Sequence, residues 1–174
     1  YQQIADIIEI RNRLYELKLI GCINNSIPYG NLSIRQSKNS FLITGTKTSC
    51  KTKITEKDFS LVTKWNIHKN SITCEGLIKA SSETLSHAAI YEILPEANSV
   101  MHIHNKRLWE KYFDLLPTTD KNALYGTPEL AISIQKILKE KTSQLIIMGG
   151  HPDGIITWGK TLSQAFQNII TKLN

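Results

Sequence analysis

The sequence predicts an α/β fold in a single domain spanning 1–174, with a mainly antiparallel or mixed sheet flanked by helices. Three observations predict it. Segments of helical period and short strand-like runs mix along the chain, without the strict strand–helix–strand rhythm of a doubly wound parallel sheet. The 174 residues suit one compact domain that can bury a core without disulfides. Hydrophobic residues make up 41% and charged residues 21%, an ordinary globular balance.

The elements follow in chain order. Ile4, Ile7, Ile8, Leu14, Leu17 and Ile20 recur near helical spacing, so residues 2–20 read as an amphipathic helix that stops near Gly21. Asn24, Asn25, Ser26, Pro28 and Gly30 read as a turn-rich loop. Leu32 and Ile34, then Phe41 to Thr44, flank the polar 36–40 run as a hairpin. Thr55-Glu56-Lys57-Asp58 resembles a helix start, and 60–67 and 71–74 are strand candidates. Ser81-Ser82-Glu83 precedes a helix of about ten residues that ends before Pro95. Residues 99–104 form a strand and 108–116 a short helix. Thr127-Pro128-Glu129 supplies an N-cap and first turn for a helix reaching Lys139. Strands at 145–148 and 154–157 and a closing helix at 161–173 complete the chain.

The formal net charge is +6 and the pI near 9.2. The lysines are scattered, with no dense basic run and no interleaved aromatics, which argues against a nucleic-acid partner and suits anionic small molecules. No apolar run approaches the roughly eighteen residues of a membrane span. No signal-peptide pattern is visible, although Tyr1 is an unusual first residue and leaves room for a trimmed leader. Cys22, Cys50 and Cys74 are odd in number, dispersed, and form no CxxC pair. They are expected to be reduced thiols of a cytoplasmic protein.

The sharpest chemical signal is Met101-His102-Ile103-His104. Alternate residues of a strand share a face, so both imidazoles are spaced to bind one cation. The plainer alternative is a histidine pair on a solvated strand face. His151, in Gly149-Gly150-His151-Pro152-Asp153-Gly154, lies just after an apolar strand, where sites are built, yet the same residues also make a tight turn. Three histidines with an open position would be a catalytic centre rather than a closed structural one. Glu83 reads either as a carboxylate beside the cation or as a glutamate complementing the helix dipole. Ser81 and Ser82 with the free N–H groups of that helix start would attract an anion such as phosphate. The turns Gly30-Asn31-Leu32-Ser33 and Thr44-Gly45-Thr46 could cradle a phosphate or be ordinary hairpin turns.

In this order, the runs Gly30 to Arg35, Phe41 to Gly45, Ser81-Ser82-Glu83 with His87 and Tyr91, Pro95, Val100, His102, His104, and Asp153 to Gly159 resemble the class II aldolase/adducin family over nearly the whole chain. The resemblance implies a three-layer α/β/α sandwich with a central, mostly antiparallel sheet. It implies a bound divalent cation, zinc first, and a homotetramer with sites near subunit interfaces. His102 and His104 match the family's paired ligands and Glu83 its acid/base carboxylate. Asn31, Thr44, Gly45, Ser81 and Ser82 match phosphate-contacting positions. In the family a histidine directly precedes the glycine of the last strand. Here Asp153 does, and the nearest imidazole is His151, so either could be the third ligand; His151 is preferred because it keeps a three-nitrogen set. Ala80 and Pro28-Tyr29 also depart from the family's usual residues. His87 is expected to support the site without ligating, and His68 to lie on the surface. Tyr125 and Asp120 read as loop residues more readily than as proton carriers.

The activity implied is aldolase-type cleavage of a small, anionic, phosphorylated sugar or hydroxy-carbonyl compound, through an enediolate stabilised by the cation. Epimerisation or dehydration on the same site and a non-catalytic, adducin-like binding role are the alternatives.

Overall fold

The computed structural model describes residues 2–24, 26–140 and 143–173; Asn25, expected in the first loop, lies outside them. Among the described residues, a seven-stranded sheet holds β3 (Asn31–Ser37), β4 (Ser40–Thr44), β5 (Phe59–Asn66), β6 (Ser71–Glu75), β7 (Ser99–His104), β8 (Leu145–Ile147) and β9 (Gly154–Gly159). Their order is β6-β5-β4-β3-β7-β9-β8, and every neighbouring pair is antiparallel. A separate two-stranded hairpin pairs β1 (Gly21–Ile23) with β2 (Ile27–Tyr29). The helices are α1 (Gln2–Glu16), α2 (Thr84–Ile93), α3 (Lys106–Tyr112), α4 (Pro128–Glu140) and α5 (Leu162–Leu173).

Strand alternation splits the core into two layers. Phe41, Ile43, Val62, Val100, Ile146, Ile156 and Trp158 face Ala88, Ala89 and Ile90 of α2 and Leu130 and Ile134 of α4. Leu32, Ile34, Met101, Ile103, Ile147 and Ile155 face Ile7 and Leu14 of α1, Leu108 of α3, and Phe166 and Ile169 of α5. The result is the expected α/β/α sandwich. Because Met101 and Ile103 belong to the second layer, His102 and His104 must point to the other side, where α2 begins.

Three local features differ from the sequence reading. α1 ends at Glu16, four residues short, because Lys18 adopts a left-handed conformation (φ 57°). Lys18 N–H donates to Tyr15 O and Leu19 N–H to Leu14 O, a Schellman ending sealed by buried Leu14 and Leu19. The expected turn-rich loop contains β1 and β2, three residues each and too short to show a period. The cysteines correct the expectation of reduced thiols. Cys22 on β1 is joined to Cys50, which closes the 3-10 turn Thr48–Cys50, while Cys74 is free. The sequence separation of 28 between the pair hid a contact that exists only because the hairpin folds against that turn. Cysteine usage therefore no longer argues for a reducing compartment.

Candidate metal centre

Three elements converge at one end of the sheet. β7 supplies His102 and His104, held in register by Asn31 on β3 opposite His102 and by Gly154 on β9 opposite His104. The β8–β9 connection supplies His151. Its glycines lie against the 118–123 segment so closely that a Cβ would stand 2.2 Å from Thr119 O at Gly149 and 2.1 Å from Ala123 O at Gly150. Asp153 takes the left-handed position of that turn (φ 67°), and His151 joins the β7 pair. Glu83 caps α2 by position only. Its side chain makes no capping bond, and it points at the imidazoles.

The geometry is tight. The ligand atoms of His102, His104 and His151 lie within 4.8 Å of one another. His104 Nε2 stands 3.0 Å from His151 Nε2. One Glu83 oxygen is 3.2 Å from His151 Nε2 and the other 3.1 Å from His102 Nδ1. Burial, aided by the neighbouring imidazoles, pushes His102 far below the usual histidine range, and burial with His151 pushes His104 down to about 3. Neutral imidazoles are what a cation requires.

The donor set fits a divalent cation on its own chemistry. Glu83 Oε2 and His102 Nε2 are buried at the site without a hydrogen-bond partner. Buried polar atoms are costly to leave unpaired, and two Nε2 atoms face each other across 3.0 Å. A cation between the imidazoles and the carboxylate would pair Glu83 Oε2 and take the place of the His104–His151 contact.

A cleft of about 200 Å³ opens above this cluster. Asn31, Gly45, Ser81, Ser82, Glu83, His102, His104 and His151 all line it. Thr44 does not. Its hydroxyl accepts from Leu32 N–H, and the Gly45 and Thr46 N–H groups donate to Asp58 O and Lys79 O. These amides are therefore occupied rather than offered to an anion. Lys47 and Ser49, unremarked in the sequence, line the same cleft, with Lys47 directly after the Thr44-Gly45-Thr46 turn. Tyr29 packs on His104 (centroids 5.3 Å) and Tyr125 on His151 (4.8 Å), so both tyrosines form the rim. Asp120 lies in a different surface groove, with Thr118 and Glu129. His68 is exposed. A larger open groove between β5 and α2, lined by Arg35 and Trp65, holds one carboxylate, Glu92, already bonded to Trp65 and Gln135.

An antiparallel sheet lies between two helix layers, with three imidazoles and a carboxylate gathered at its strand ends, a group that could hold a cation. The chain matches the class II aldolase and adducin N-terminal domain over residues 6–109, more than half its length, and it belongs to that family. Among solved structures it is similar to an L-fuculose 1-phosphate aldolase at 21% identity and TM-score 0.74, covering 99% of this chain and 82% of that one. The L-fuculose-1-phosphate aldolase of Thermus thermophilus aligns at 20% identity and TM-score 0.69, covering 97% and 88%. A sugar-phosphate aldolase from Thermotoga maritima aligns at 15% and 0.72, covering 98% and 90%. No curated protein matches the chain significantly by sequence. At these identities the likeness is one of fold.

Proposed function

We propose that the chain is a metal-dependent lyase of the aldolase type, acting on a small anionic hydroxy-carbonyl compound such as a sugar phosphate. The observation that carries this is the meeting of His102, His104 and His151 with Glu83 at the floor of one cleft. The three imidazoles would hold the cation, with Zn²⁺ preferred for a three-nitrogen set. When bound, it supplies Lewis acidity toward negative charge developing on a substrate oxygen.

The chain's own residues do the rest. Glu83, buried and without a capping duty, takes a proton from the substrate and returns it. Asn31, Ser81 and Ser82 orient the polar end, and Lys47 adds positive charge to the same cleft. Tyr29 and Tyr125 narrow the mouth and limit water. Ile23 and Ile27, exposed on the hairpin at the rim, suit the homo-oligomer that the family resemblance implies.

Elemental analysis of the purified protein, followed by a sugar-phosphate aldol-cleavage screen, tests the proposal. The protein should carry about one divalent cation per chain, and replacing His102 and His104 by Ala should strip it and abolish turnover without unfolding the domain. A protein that neither carries nor takes up a cation overturns the proposal. Cation binding without cleavage, but with epimerisation or dehydration, would keep the site and change the reaction. Binding without any turnover would favour a non-catalytic role.

A further inference from the structure

We propose that Lys47, with Ser49 beside it, selects the anionic end of the substrate, and that the Cys22–Cys50 bond and buried Arg11 preorganise the turn that carries both. This rests on the proposed role of the cleft and names the residues that receive the negative charge.

Charge decides the first part. Glu83 lies at the floor of the cleft, and its carboxylate repels an incoming anion. Among the described residues that line the cleft, Lys47 is the one lysine or arginine. The side chain with permanent positive charge therefore fixes which end of an anionic substrate stays away from the carboxylate. Ser49 supplies a second donor. It is 7% exposed and lines the same cleft, and its hydroxyl has no hydrogen-bond partner among the described residues; only its carbonyl is engaged, by Arg11. Ser81 Oγ accepts from Glu83 N–H, which leaves its own proton free to donate. The Gly45 and Thr46 amides are already bonded to Asp58 O and Lys79 O, so the anion contacts pass from that turn to the next one.

The next turn is held from several sides. Lys47 has a left-handed backbone (φ 62°), which a non-glycine residue keeps only where its surroundings enforce it. Thr48 N–H and Thr48 Oγ1 donate to Gly45 O, and Cys50 N–H donates to Lys47 O. Arg11 on α1 is 1% exposed and makes no salt bridge among the described residues. Apart from Asn12, its partners are the carbonyls of Thr48, Ser49, Lys51 and Thr52. Cys22 ties Cys50 to the hairpin whose Ile23, Ile27 and Tyr29 line the cleft. A lysine stem that starts from a fixed point loses less freedom when its ammonium meets an anion, so the clamp favours binding.

Titration of the full chain, loaded with Zn²⁺ and freed of excess, with inorganic phosphate as the probe tests this. Lys47→Met should raise the phosphate Kd about 10-fold and Ser49→Ala about 3-fold, while Lys47→Arg keeps most of the affinity. Lys53→Met removes an equal charge outside the cleft and should change the Kd by less than about 2-fold. Cys22→Ser should also raise the Kd. In that background Lys47→Met should cost only about 3-fold, because a loosened turn no longer presents the ammonium. A turn that merely stabilised the fold would leave the Lys47→Met effect the same with and without the bond. If Cys22→Ser fails to fold, the same comparison is made with the bond opened by dithiothreitol, which becomes its cyclic disulfide as the two protein thiols form. An unchanged Kd in Lys47→Met, an equal effect of Lys53→Met, or a Lys47→Met effect independent of the bond overturns the inference. A chain that takes up no Zn²⁺ but still shows this pattern keeps the inference and overturns the lyase reading. Zn²⁺ uptake with a phosphate affinity indifferent to Lys47 does the reverse.

Discussion

Glu83 illustrates how one residue type can carry two roles that only geometry separates. A glutamate at a helix start ordinarily complements the macrodipole. Here its oxygens lie 3.1 Å and 3.2 Å from two imidazoles instead. Glu83→Gln keeps the size and removes the proton acceptor. It should leave the fold and most of the Zn²⁺ affinity, yet lower turnover by about 10²- to 10⁴-fold on whatever substrate the cleavage screen identifies. A variant with near-normal turnover would assign the proton to another group. The His102–His104 pair was legible in the sequence because strand residues and a two-residue spacing coincide. His151 was preferred as the third imidazole but with Asp153 left open, since Gly-Gly-His-Pro-Asp-Gly describes a turn as well as a ligand loop. The structure gathers His151, and not Asp153, with that pair, through the positive φ at Asp153 and the close approach of both glycines to the 118–123 segment.

At the scale of elements, the β1–β2 hairpin is the part that sequence reading missed. It carries Ile23, Ile27, Pro28 and Tyr29 along one wall of the cleft. The Cys22–Cys50 bond ties it to the turn bearing Ser49, and buried Arg11 of α1 holds the same turn through the carbonyls of Thr48, Ser49, Lys51 and Thr52. Closing a loop of this length stabilises a fold by roughly 3 to 4 kcal/mol through the unfolded chain. Reduction, or Cys22→Ser, should therefore lower the urea midpoint, and loss of anion binding should appear before global unfolding because the wall loosens first. A midpoint unaffected by reductant would show that the bond contributes nothing. Longer elements were legible because their apolar periods extend over several turns or pleats, as in α4, where Thr127, Pro128 and Glu129 also mark the start.

At the scale of the whole molecule, the buried imidazoles make stability pH-dependent in a definite direction. His87 and His104 are lowered to about 3 in the folded chain, and His102 lies well below its ordinary value. The unfolded chain takes up these protons near pH 6.5. Between the two values the unfolded state binds more protons, so their contribution is fully present above pH 6.5 and is lost as pH falls toward 3. Metal-free protein should show a flat unfolding free energy above pH 6.5 and a decline below it. Each buried imidazole adds a slope of up to about 1.4 kcal/mol per pH unit. His87→Gln should make the decline shallower in urea titrations at pH 7, 6, 5 and 4; an unchanged slope would remove His87 from this account. The net charge of +6 is spread along the chain and decides neither fold nor site.

By itself, the sequence determined most of the longer helices and strands, and that an HxH strand and a helix-start glutamate were available for cation chemistry. These depend on local period and capping, which are written in neighbouring residues. Only the tertiary structure decided that β7 lies between β3 and β9, that His151 and Glu83 close on the same point, that Cys22 meets Cys50, and that Arg11 holds the turn bearing Lys47 and Ser49. Those are contacts between residues far apart along the chain. They arise from how two faces of one sheet are buried at once, and no short window of sequence contains that information.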